Sequence, residues 1–154
     1  MTFKVLVDTR EKKPWFFGVN QFCSGSEIRS LKTGDYTIEG YEDLVCVERK
    51  RSTAEIAQNI VDERWDNELV RLNQFKYAYI VLEFTADNVM EYPLGTSIPK
   101  RIYSKLKVNG SFIMHKLIGY MIKYPNIKVI FAGTQAKEIA EIIFKRVVQN
   151  EKNK

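Results

Sequence analysis

The chain opens on a short run of mostly apolar and β-branched residues, Phe3–Val7, which ends in the polar stretch Asp8-Thr9-Arg10-Glu11. That pattern predicts a buried strand that delivers polar groups at its carboxyl end. Lys12 to Ser26 carries Pro14, Gly18 and Gly25 around the aromatic cluster Trp15-Phe16-Phe17 and reads as a loop. Short strands are expected at Glu27–Lys32, at Tyr36–Glu39 after the Thr33-Gly34 turn, and at Leu44–Lys50 after the loop at Gly40. The period then changes. Ser52 or Thr53 can cap a helix with Glu55 in its first turn, and Trp65, Leu69 and Leu72 share one helical face. A strand at Ala78–Phe84 follows, then a loop marked by Pro93 and Gly95, and Ser97-Ile98-Pro99 can open a short helix. Ser111–Lys123 reads as a helix and Ile127–Phe131 as a final strand. Ala136, Ile139, Ala140, Ile143 and Val147 trace one side of a carboxyl-terminal helix. Strands first, then helices alternating with strands, argue for an α/β fold: a mixed central sheet flanked by helices.

Composition adds bounds. At 154 residues, with 45% hydrophobic and 28% charged side chains, the chain fits one globular domain spanning residues 1–154. Its longest apolar run is the six-residue Tyr77–Leu82, too short for a membrane span, and no secretory signal pattern opens the sequence. A soluble intracellular protein is expected, cytoplasmic in a bacterial or phage-infected cell and nuclear in a eukaryotic one. The formal charge of +5 admits an anionic partner, though surplus lysines also serve solubility. Cys23 and Cys46 form no metal-binding or disulfide pattern, and His115 has no second imidazole or thiol near it in sequence. Serine-nucleophile elbows and glycine-rich phosphate loops are absent from the sequence.

The chemistry concentrates in three segments: Asp8-Thr9-Arg10-Glu11, Gly34-Asp35 and Val47-Glu48-Arg49-Lys50. Alternation along a strand turns Glu48 and Lys50 to the same face and Arg49 to the other. Asp8, Asp35 and Glu48 come from three early strands or turns and can meet at one edge of the sheet. With twelve residues between Asp35 and Glu48, the pattern is D-x12-E-x-K. Phosphodiester hydrolysis uses such groups. Carboxylate oxygens hold Mg²⁺ or Mn²⁺, the ion polarises phosphoryl oxygens and lowers the pKa of water, and a lysine orients water or offsets charge. Spacing of this kind also occurs in plain exposed strand ends.

The ordered set is more specific. Asp8-Thr9-Arg10-Glu11, Gly34-Asp35, Glu48-Arg49-Lys50 and Arg64–Leu72 together resemble the XPF-type (ERCC-like) nuclease domain, a branch of the PD-(D/E)XK nucleases with a restriction-endonuclease-like fold. The resemblance covers about residues 4–148. It implies a metal-dependent, structure-selective DNA endonuclease for branched, flap or fork DNA, leaving 5′-phosphate and 3′-hydroxyl ends, in repair, recombination or phage genome processing. By position it implies Asp8, Asp35 and Glu48 as metal-site carboxylates, the Val47 carbonyl as an extra ligand, and Lys50 as the catalytic lysine. Arg10 and Arg49 are expected to face the phosphate or brace the carboxylates, and Glu11 to support the site or form an ordinary ion pair. The family's last aspartate falls on Ala54, with Glu55 beside it. No helix-hairpin-helix module or helicase accompanies the motifs.

Lys12, Lys13, Arg51, Lys100, Arg101, Lys105 and Lys107, with Tyr103 among the last four, are the expected DNA-backbone contacts. Glu68 is read as a partner of Arg64 and Arg71 on a solvated face or as a group near the site, and Trp65 as core. Duplex or branched DNA is the expected partner, and the family likeness adds a homodimer built through the carboxyl-terminal helix region. The competing reading is a non-catalytic DNA-binding or scaffold module of the same fold; RNA as substrate is a third.

Overall fold

The computed structural model describes residues 2–154. Six strands form one sheet: β1 (Phe3–Asp8), β2 (Cys23–Arg29), β3 (Tyr36–Ile38), β4 (Val45–Lys50), β5 (Tyr77–Leu82) and β6 (Ile127–Phe131). Their order is β2-β1-β3-β4-β5-β6, and only β3 runs against its neighbours. The mixed α/β sheet flanked by helices expected from the sequence is therefore the architecture observed. Helices α1 (Thr53–Ile60) and α2 (Glu63–Leu72) join β4 to β5. The β5–β6 connection holds α3 (Ala86–Met90), a 3-10 segment Lys100–Lys105 and α4 (Gly110–Lys123), and α5 (Ala136–Lys152) closes the chain.

The sheet separates two apolar layers. On one face Val5, Val7, Tyr36, Val45 and Val47 pack with Ala140, Phe144 and Val147 of α5. On the other, Cys46, Ala78, Ile80 and Leu82 pack with Ile56, Trp65, Leu69, Ile113 and Leu117 of α1, α2 and α4. Strand β4 thus alternates strictly between layers until Glu48.

Several boundaries differ from the sequence reading. β2 begins at Cys23, inside the expected loop, and stops at Arg29 rather than Lys32. Its sequence, CSGSEIR, lies on the sheet edge, where only one side is paired, so it needs little apolar alternation. The helical stretch after Ser52 breaks at Val61, and Asp62 caps a new helix by accepting from the Arg64 N–H at 2.9 Å. The five-residue α3, closed by a reciprocal Thr85–Asn88 capping box, was not expected at all; it is too short to show a period. Among the described residues no helix is long and apolar enough to cross a membrane.

Candidate active site

The strand directions place the three acidic segments at one end of the sheet. Val7 pairs with Tyr36, and Tyr36 with Val47. One residue beyond that row on each strand stand Asp8, Asp35 and Glu48. The Asp8 N–H donates to the Asp35 carbonyl at 2.9 Å, and the Arg49 N–H to Asp35 Oδ2 at 2.7 Å. Gly34 allows the approach. Its φ is +78°, and a Cβ there would fall 2.1 Å from Cys46 Sγ.

Asp8, Arg10, Gly34, Asp35, Glu48 and Lys50 line a cavity of about 370 Å³ whose other wall is Asn59, Asp62, Arg64, Trp65 and Glu68 of the α1–α2 corner. Five carboxylates face three cations there, although the whole chain carries +5. Lys50, 7% exposed, lies with Nζ 3.5 Å from Glu48 Oε1 and 4.4 Å from the Trp65 ring centre. Burial, opposed in part by the Arg49 N–H, pushes the Asp35 carboxyl up to about 6. Burial and the neighbouring Asp35 push Glu48 up to about 8, with Glu68 adding repulsion and Lys50 relieving it. Two neighbouring hard carboxylates, short of positive charge, suit a divalent cation.

Asp8 is different. Its Oδ1 accepts from the Leu31 N–H at 2.9 Å and its Oδ2 from Arg10 Nε at 2.7 Å. Burial raises its proton affinity, but these bonds outweigh burial and hold the carboxyl below its usual range. Asp8 thus braces Arg10 and the loop before Asp35, and no group of three or more His, Cys, Asp or Glu side chains converges on a metal position among the described residues. The Val47 carbonyl is also engaged, accepting the Asp35 N–H at 3.0 Å. Of the four expected ligand groups, the Glu48 carboxylate makes no hydrogen bond to the backbone, and Asp35 accepts one, from the Arg49 N–H.

Arg49 does not reach this cavity. Its side chain is on the opposite face, ion-paired with Glu83, 3.6 Å from Glu11, 4.6 Å from the Trp15 ring and donating to Tyr36 Oη at 3.2 Å. Of the two roles expected of Arg49, facing the phosphate or bracing the carboxylates, its side chain is turned away from the cavity: strand alternation sends it to the α5 side, where it braces Glu11 and Glu83, while its backbone N–H braces Asp35. Glu11 also holds Arg51 at 3.2 Å, which removes Arg51 from the free cations. Trp15 stacks on Tyr36 at 4.7 Å and is core. Glu55 accepts the Arg51 N–H at 2.9 Å at the start of α1, so it does not replace the aspartate missing at Ala54.

Lys12 and Lys13 are exposed beside the first motif but do not line the cavity; the Lys13 carbonyl accepts from Arg49 at 3.0 Å. Lys100, Arg101, Tyr103, Lys105 and Lys107 lie on and just after the 3-10 segment, also away from the cavity lining. The stretch from residue 92 to 137 holds eight cations and no acid, and the seven between 100 and 128 make no ion pair among the described residues. The positive charge is therefore segregated from the acid cavity. The sequence reading missed Asn59 and Asp62, and took Trp65 for core only. Trp65 is buried at 4% exposure yet also forms the cavity floor under Lys50. Glu68 both pairs with Arg71, at 2.7 Å, and lines the cavity.

The sequence matches the ERCC4 domain family over residues 7–145. No individually curated protein matches it. Among solved structures, XPF from Aeropyrum pernix superposes with a TM-score of 0.65 at 16% identity, covering 97% of this chain and 67% of that one. A structure titled XPF from Aeropyrum pernix in complex with DNA gives 0.61 at 17% identity, with 97% and 66% covered. This chain thus spans about two thirds of their length and shares their nuclease-domain fold.

Proposed function

The chain belongs to the ERCC4 domain family, and from that premise we propose that it is a divalent-metal-dependent endodeoxyribonuclease that cuts branched, flap or fork DNA. The observation that carries the reading is the Asp35–Glu48 pair, two buried carboxylates short of compensating charge, with Lys50 beside them in an open cavity. Mg²⁺ commonly binds through one or two carboxylates and completes its shell with water and substrate phosphate, so two protein ligands suffice.

Asp35 and Glu48 would hold Mg²⁺ or Mn²⁺. The bound ion supplies Lewis-acid polarisation of the phosphoryl oxygens and an acidified water. Everything else belongs to the chain. Lys50, fixed between Glu48 and the Trp65 ring, orients the attacking water and offsets charge on the phosphorus. Arg10 is 73% exposed at its side chain and has one edge on Asp8; its outer edge meets the phosphate. The unpaired cations of residues 100–128 draw in the DNA backbone. The DNA-bound relative makes DNA the first substrate to test. A homodimer through the carboxyl-terminal helix region is part of this proposal, and a sedimentation value fixed at 18.0 kDa at all concentrations removes that part.

The test is incubation of labelled branched and linear DNA with Mg²⁺ or Mn²⁺, comparing the natural chain with Asp35→Ala and Glu48→Ala. Cleavage by the natural chain, lost in both variants and absent in EDTA, is the expected result. Cleavage that survives both substitutions overturns the site. Binding without cleavage under either metal identifies a non-catalytic DNA-binding module instead.

A further inference from the structure

A second cavity, about 580 Å³, lies across the β2–β3 loop from the acid pocket and takes no part in the chemistry above. The wall between them is fixed: Leu31 holds Asp8 through its N–H and Arg10 through its carbonyl, and the Thr33 carbonyl receives the Cys46 thiol at 3.5 Å. The two cavities also share α2. Glu68 lines the first, its ion-pair partner Arg71 lines the second, and their side chains are 2.7 Å apart.

The second cavity's lining carries both signs of charge, and two of its charged groups, Arg29 and Glu42, pair with each other at 3.7 Å. Lys32 and Arg71 supply positive charge, and Lys32 has no carboxylate partner among the described residues. Asp43 supplies an acceptor that likewise has no ion pair there, and half-buried Phe75 gives an apolar surface. The Gln74 amide makes no side-chain hydrogen bond within the chain among the described residues. A ligand that satisfies all of them carries an anion, a flat ring and an N–H donor.

We infer that this cavity receives one unpaired nucleotide of the DNA next to the cut. Its phosphate meets Lys32 and Arg71, its base lies on Phe75, and its exocyclic amine donates to Asp43. A base in a paired stack cannot enter, so the cavity senses departure from the duplex. The inference rests on the nuclease reading for its biological setting, and its test needs no cleavage.

The experiment is fluorescence anisotropy in EDTA with two labelled duplexes, one fully paired and one bearing a single unpaired dC. Lys32→Ala/Gln74→Ala changes only exposed side chains, and an unchanged melting curve verifies its fold. The expected result is about a tenfold loss of affinity for the dC duplex and less than about twofold for the paired one, from loss of a phosphate contact and a polar contact. Asp43→Ala is expected to erase a preference for unpaired dC over unpaired dT. Equal losses on both duplexes, or none on either, overturn the inference. A chain that binds the dC duplex selectively but never cuts it removes the nuclease reading and leaves the cavity's role standing.

Discussion

Adjacent residues at the end of β4 live in opposite electrostatic regimes. Arg49 faces the α5 layer, where Glu83, Glu11, Tyr36 Oη and the Trp15 ring surround its guanidinium. Charge there is matched by ion pairs, and Arg49 and Glu11 are nearly sealed from water. Glu48 faces the other way, into an open cavity where Asp35, Asp62 and Glu68 add to its charge and Lys50 is the cation in contact. The first arrangement is neutralised within the chain, although Glu11 Oε2 lies 3.6 Å from Arg49 and accepts no hydrogen bond. The second costs stability for as long as nothing arrives to balance it, which makes it the candidate for a ligand. The pleat of a single strand builds both.

The largest expected effect breaks the open side. Lys50→Ala removes the ammonium and should lower kcat by ~10²–10⁴-fold in single-turnover cleavage, the usual range for a lost acid–base group. A loss confined to KM would assign Lys50 to binding. Next comes the sealed side. Arg49→Met leaves Glu83, a quarter exposed, without its cation and Glu11 with Arg51 alone, a defect of about 2–3 kcal/mol. Urea unfolding is the measure, and Arg49→Met/Glu83→Gln should recover part of the loss. If Arg49→Met costs no more than a surface change, the two sides are not different in kind.

A smaller effect has the opposite sign. Asp35 and Glu48 both bind protons more tightly in the folded chain than in the unfolded one, the second up to about 8. Without metal, the folded state is therefore favoured most below the ordinary carboxyl range. It loses that advantage as pH rises through about 6 and about 8. Glu48→Gln cannot ionise, so in EDTA at pH 8 it should melt higher than the natural chain, on a scale of ~2–4 °C per kcal/mol, and the gap should close near pH 4.5. Mg²⁺ should reverse the order by stabilising the natural chain alone. A Glu48→Gln chain that melts lower at pH 8 without metal would mean the carboxylate is already compensated.

How much of this was legible in the sequence follows from periodicity. Glu48 and Lys50 against Arg49 is a two-residue repeat, and the strand pattern of Val45–Val47 extends it, so the division of the faces was readable. That Asp8 and Asp35 join Glu48 needed only strands in the right order, and the motifs supplied it. What Asp8 does there was not readable. Its commitment to Leu31 depends on a contact across 23 residues of chain, and no local pattern encodes such a contact. The α1–α2 wall escaped for a related reason: Asn59 and Asp62 face the cavity because the helix breaks at Val61, a break the continuous helical period concealed. Trp65 was legible as apolar, but a ring's second use under an ammonium is a property of the packed site.

Asp8 gives the smallest effect and the finest discrimination, because it is a matched carboxylate inside the unmatched cavity. Its folded-state proton affinity is lowered, so its contribution to stability is present above pH 3.8 and is lost as pH falls below it. Arg10→Ala removes one of its partners, but that side chain is mostly exposed and the Leu31 N–H remains, so the cost should be under about 1 kcal/mol at pH 7. The acid-unfolding profile should flatten in step, since less is left to lose. Metal affinity separates the two roles open to this aspartate. As a brace, Asp8 freed from Arg10 leaves Mg²⁺ binding unchanged or weaker, because the loop before Asp35 is held less firmly. As a ligand kept in reserve, it would tighten Mg²⁺ binding once the guanidinium is gone. Calorimetric titration of Arg10→Ala with Mg²⁺ is expected to show no gain, which would place Asp8 with the compensated groups of Arg49 rather than with Glu48, two strands away.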